Sequence, residues 1–88
     1  MVQFQSGQVV ATRTAAEKIS PLVIMLALAK HLNGDWGDLC EADKTANDRA
    51  LRDGDRLLSA YHAPDGTKFW IITEADRSCT TVLLPDDY

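Results

Sequence analysis

Eighty-eight residues, 45% of them hydrophobic, are enough for one globular domain and argue against a disordered chain. Thirteen acidic against nine basic residues leave a net charge of -4, and no cluster of Lys or Arg marks a nucleic-acid-binding face. The strongest apolar run, Leu22 to Ala29, falls far short of the ~20 residues a spanning helix needs, which excludes one there.

In chain order, Met1–Gln5 reads as a loose start or an edge strand, and Gln8–Thr12 as a short β-branched strand. Arg13–Ile19 reads as one or two helical turns with Thr14 as N-cap. Ser20-Pro21 restarts a helix, Ser capping and Pro at the first position, and Asn33-Gly34 ends it. Its first two turns are apolar on every side, which predicts a buried helix lying across the sheet. Leu22, Ile24, Met25, Leu26 and Leu28 are then expected to dominate the core, at ~1.5–3 kcal/mol for each fully buried side chain.

Asp38-Leu39-Cys40-Glu41 has capping-box spacing and predicts a half-exposed helix over Leu39–Arg52. Ala42, Ala46 and Ala50 supply a small-residue contact, Asp48 and Arg52 an ion pair one turn apart, and Gly54 the stop. Three β-rich runs close the chain. They are separated by Pro64-Asp65-Gly66 and Glu74-Ala75-Asp76-Arg77, which predicts an antiparallel meander. Neither face of the meander is purely polar, so helices should cover one. The N-terminal segment or a second copy of the chain should cover part of the other. The expected fold is a single α+β domain over residues 1–88: an N-terminal strand, two to three helices, then a three-stranded meander (β-α-α-β-β-β).

Chemistry-bearing residues are scattered. His31, Cys40, His62 and Cys79 each stand alone, without the C-x2-C or H-x3-H spacing of a zinc site. Cys40, placed in the first turn of a helix, has a position that can lower a thiol pKa, but no oxyanion loop accompanies it. No metal, no cofactor and no catalytic activity are expected. With no signal peptide ahead of the two cysteines, a reduced cytoplasm is the expected compartment.

The charge is concentrated instead. Between Asp35 and Asp55 lie seven acids and three bases, which account for the whole excess. Asp35, Asp38, Glu41 and Asp43 crowd a helix N-terminus, where the macrodipole favours them, so capping and solubility explain much of the cluster. Trp36, flanked by glycines and acids, either plugs the edge of the core or serves as an exposed hot spot inside an acidic rim. The second possibility makes Asp35, Trp36, Asp38, Glu41, Asp43 and Asp48 the expected partner-binding residues, and the expected partner basic.

The strings Gly34-Asp-Trp-Gly-Asp38, Asn47-Asp48-x-Ala50-Leu51, Arg56-Leu-Leu-Ser-Ala-Tyr61, Trp70-Ile-Ile-Thr-Glu-Ala-Asp-Arg-Ser78 and Leu83-Leu-Pro-Asp-Asp-Tyr88 resemble those of a family of small bacterial proteins. That family travels on plasmids, prophages and other mobile elements. Its members often carry the label of type I restriction methyltransferase subunits. The chain has neither a G-x-G-x-x-G loop for a nucleoside cofactor nor an Asn-Pro-Pro-aromatic motif for a flipped base. The resemblance implies company with inhibitors of host defence, anti-restriction and anti-CRISPR proteins among them. The expected function is therefore a non-enzymatic acidic protein that blocks a host nuclease or CRISPR surveillance complex by contact with its basic surface, without binding nucleic acid or membrane itself. Literal DNA mimicry fits poorly, because duplex DNA carries a charge every ~1.7 Å and nine bases offset the acids here. The alternative is a homodimeric or antitoxin-like module that uses the apolar sheet face or a strand edge and is sensitive to charges at Thr80 or Thr81.

Overall fold

A computed structural model of the chain describes residues 2–88; of the expected loose start, Met1 lies outside them. The elements are β1 (Gln8–Ala11), α1 (Arg13–Lys18), α2 (Pro21–Leu32), α3 (Glu41–Asp53), β2 (Leu57–His62), β3 (Lys68–Thr73), β4 (Cys79–Leu83) and a closing 3-10 turn, Pro85–Asp87. The last three strands form the expected antiparallel meander, and β1 joins it in parallel beside β4, giving the order β1-β4-β3-β2. Gly7 makes that junction possible. Its φ is +62°, and a Cβ there would lie 2.3 Å from the Ser78 carbonyl.

Register places Leu57, Ser59 and Tyr61 opposite Thr73, Ile71 and Phe69, with Val82 and Thr80 continuing the row. All eight are buried, and the helices cover this face. The core it forms has two parts. Tyr61, Phe69, Ile71 and Val82 pack with Ala15, Ile19 and Ala27, while Leu57 packs with Phe4, Trp36 and Ala50. Between them runs a line of buried polar groups. His31 Nδ1 lies 2.5 Å from Ser59 Oγ, and Nε2 lies 2.9 Å from Thr73 Oγ1. Thr73 Oγ1 is 2.8 Å from Thr80 Oγ1, whose hydroxyl donates to the Ser6 carbonyl at 2.7 Å.

A hydroxyl has one proton to give, so the far end of the line sets its direction. Thr80 donates to Ser6 and must accept from Thr73; Thr73 accepts from His31 Nε2–H; Nδ1 accepts from Ser59. The ring is thereby held as the neutral Nε2–H tautomer. Burial, with the positive charge of Arg77 adding to it, lowers the His31 pKa to about 4. Thr80, which the sequence suggests as an outward strand position, is thus fully enclosed, and Thr81 is half-buried.

Four local expectations give way to tertiary contacts. The N-cap of α1 is Thr12, whose Oγ1 accepts from Ala15 N at 3.2 Å; Thr14 instead donates to the Asp87 carboxylate at 2.6 Å. Next, α3 starts at Glu41 behind a Cys40 N-cap that makes no side-chain bond, because residues 36–38 pair with the outer edge of β2. There Asp38 N donates to Ala60 O at 2.7 Å and Ala60 N to Trp36 O at 3.2 Å. Of the small α3 residues only Ala50 is buried, while Ala42 and Ala46 are exposed. Finally, α2 is not enclosed. Ala27 and His31 are buried and Val23, Ile24 and Leu28 half-buried, but Leu22, Met25 and Leu26 are 62%, 63% and 57% exposed. A helix laid on a sheet buries one stripe, and apolarity all round does not exempt the other side.

The edge of β2 is closed a second time by Asn47. Its Nδ2 donates to Leu58 O, and its Oδ1 accepts from Leu58 N at 3.2 Å, so a side-chain amide stands where a neighbouring strand's peptide would.

Two stability outcomes follow. Gly37 has φ +75°, and a Cβ there would lie 2.1 Å from Ala60 O; Gly37→Ala should cost about 2–4 kcal/mol in urea unfolding. His31 takes up a proton near pH 6.5 when unfolded but only near pH 4 when folded. Its contribution is therefore complete above pH 6.5 and is lost as pH falls to 4, about 3 kcal/mol in all. Urea midpoints across that window should show the loss, and His31→Gln, though less stable overall, should remove that part of the pH dependence.

Candidate interaction surface

Ser20 and Pro21 set where α2 begins, and the Ser20 hydroxyl accepts from Val23 N at 3.3 Å. From that start the 3.6-residue turn puts Leu22, Met25, Leu26 and Ala29 on one side, and all four are exposed. Beside this stripe, between α2 and the β2–β3 hairpin, is a groove of about 320 Å³. Val23, Leu26, Tyr61 and Phe69 contribute its apolar lining, and Lys30, Asp38 and His62 its polar edge. The hairpin holds its shape through the Pro64-Asp65-Gly66 turn, where Gly66 has φ +92° and Asp65 Oδ1 accepts from Thr67 N at 2.9 Å.

Asp38 reaches this edge because its backbone is bonded to Ala60, and its Oδ2 lies 3.5 Å from His62 Nδ1. One turn of chain earlier, Asp35 is exposed and caps Gly37 N at 3.2 Å, while its carbonyl accepts from the Tyr61 hydroxyl at 2.6 Å. Burial above all pushes the Tyr61 pKa up to about 12, so that hydroxyl remains a donor.

Trp36 is a correction. It is 3% exposed, stacked on Phe4 and edge-on to His31, and its indole N–H donates to Asp48 Oδ1 at 2.9 Å. The Trp36 carbonyl and the Asp38 amide are bound to Ala60 of β2, and Asp35 caps Gly37 N, which turns the ring inward. It plugs the core. The same bond engages Asp48, so the expected Asp48–Arg52 pair does not form. Glu41 pairs instead with Lys44 at 3.8 Å. Glu41 and Asp48, seven apart, share one side of α3, whereas Asp43 lies about 200° round the helix from Glu41. The six expected binding residues therefore divide: Asp38 at the groove, Asp35 and Asp48 around an enclosed Trp36, Glu41 and Asp43 exposed on α3.

Ser59 and His31 stand at the distance of a nucleophile and its base, but both are 0% exposed, and the second ring nitrogen donates to Thr73. Cys40 is exposed and Cys79 half-buried, each a free thiol. Among the described residues, no three His, Cys, Asp or Glu side chains gather as metal ligands, and no helix is long and apolar enough to cross a membrane.

The exposed stripe is the feature that sequence reasoning missed. A signal was present: a helix whose first two turns are apolar on all sides exceeds what one face of a small sheet can cover. Asn47 as an edge stopper left no trace in the sequence, since its function depends on which strand lies opposite. Compared with known proteins, the chain matches no family model, no curated protein and no solved structure.

Proposed function

We propose that the chain is a non-enzymatic binding protein that docks on a protein partner through the outer stripe of α2 and the adjoining groove. The observation that carries this is the exposure of Leu22, Met25 and Leu26 at 62%, 63% and 57% beside a concave apolar surface. Together these three expose on the order of 350 Å² of mostly apolar surface, a patch size that on small proteins often marks a contact site. Asp38 stands at the groove, and Asp35, Glu41, Asp43 and Asp48 add a negative field on nearby segments. A partner with an apolar projection ringed by basic residues fits that arrangement, the acids speeding encounter and the apolar contact supplying affinity.

The resemblance to mobile-element proteins suggests the class of partner: a host defence nuclease or CRISPR surveillance complex, inhibited through its basic surface. Ser59 and His31, which stand as a nucleophile and its base would, are both buried, which favours inhibition by occupancy over chemistry. The test is to add the purified chain to reconstituted restriction and CRISPR effector cleavage reactions. Inhibition of one of them is expected. Leu26→Lys should weaken the interaction at least about tenfold. Asp38→Lys with Glu41→Lys should weaken it about three- to tenfold and reduce its salt sensitivity. Inhibition unaltered by Leu26→Lys would remove α2 from the site, and no inhibition of any such complex would remove the defence role.

A further inference from the structure

The two edges of the sheet are finished differently. On β2 the outward groups of Leu58 and Ala60 are taken by Asn47 and by residues 36–38. On β1 nothing comparable is present among the described residues. Gln8 N bonds Ser78 O at 3.0 Å and Thr12 N bonds Val82 O at 2.9 Å, so in this parallel ladder the amides of Gln8, Val10 and Thr12 face β4. The N–H and C=O groups of Val9 and Ala11 therefore face away from the sheet. All four β1 residues are exposed, Val9 at 46% and Val10 at 38%. The strand carries none of the devices that usually blunt an edge: no charge, no proline, no bulge.

We infer that this edge pairs with the β1 edge of a second copy, antiparallel about a two-fold axis at Val10, joining two four-stranded sheets into one of eight strands. The register is set by the geometry. Val9 of each copy exchanges both backbone bonds with Ala11 of the other, giving four hydrogen bonds, and Val10 meets Val10 as the close, non-hydrogen-bonded pair that suits β-branched side chains.

Charge selects the occupant. Segment Gln8–Thr12 is uncharged, whereas the acid-rich stretch from Asp35 to Asp55 packs at the β2 end of the sheet. Two copies joined at β1 thus hold their acidic surfaces at opposite ends, and a chain of net charge -4 can self-associate without bringing them together. A contact this short buries less than ~1,200 Å², the range of reversible complexes. The α2 surface has no part in it.

Sedimentation velocity and amide exchange on the full chain, from about 10 µM to 1 mM, test the pairing. A reversible, salt-insensitive dimer is expected. Its formation should slow exchange of the Val9 and Ala11 amides, with the Val10 amide protected at every concentration. Val10→Lys should raise the dimer Kd at least about tenfold. Val9→Pro should do the same, since that amide has no partner among the described residues. Leu26→Lys should leave the dimer unchanged. A chain that stays monomeric at 1 mM overturns the inference. So does a dimer dispersed by Leu26→Lys but not by Val10→Lys. Should Val9→Pro fail to fold, Val10→Lys and the exchange pattern decide.

Discussion

Peptide groups on an outer strand must find partners or water, and how β2 finds them shapes much of this molecule. The Trp36–Asp38 segment and the Asn47 amide close that edge together. Binding residues 36–38 to Ala60 delays the start of α3 to Glu41 and requires glycine at position 37. It also turns the Trp36 ring into the core against Phe4 and His31. Once the ring is inside, its N–H needs an acceptor, and Asp48 supplies it. One edge closure thus redirects a helix cap, an aromatic and an ion pair.

The interior shows the same demand for satisfied polar groups. Ser59, Thr73 and Thr80 sit on the covered face of otherwise apolar strands, and His31 joins them from α2. A line of this kind is safe only if every member is bonded, and no buried side-chain nitrogen or oxygen among the described residues lacks a partner. Direction matters as much as number. Because Thr80 is committed to the Ser6 carbonyl, the tautomer of a ring two links away is determined. Arg77 reinforces this end of the fold, its φ of 60° aiming the guanidinium at the carbonyls of Asp55, Glu74 and Ala75.

Function, on this reading, lies where the fold leaves surface unfinished. α2 commits one stripe to the sheet and presents the other to solvent, next to a groove whose polar edge includes Asp38. The sheet closes β2 and, among the described residues, leaves the outer edge of β1 unpaired. These surfaces are at different parts of the molecule and differ in chemistry, one apolar and flanked by acids, the other made of peptide groups and valines. They can be occupied at once, which is the arrangement expected of a small protein that works by contact.

Much of the architecture was legible beforehand. The turn residues at Pro64–Gly66 and Glu74–Arg77, the β-rich runs between them, the Ser20-Pro21 start and the Gly54 stop are local signals, and local sterics and hydrogen bonding decide them. The concentration of acids between Asp35 and Asp55 is likewise a property of the chain order. What required the folded chain was every choice among equivalent local options. Which stripe of a largely apolar α2 faces inward depends on the sheet beneath it. Whether Asp38 caps a helix or bonds a strand depends on Ala60, twenty-two residues away, and whether Trp36 is a plug or a probe depends on the same contact. Periodicity and propensity describe a segment by itself, whereas burial and edge pairing are set by what lies across from it.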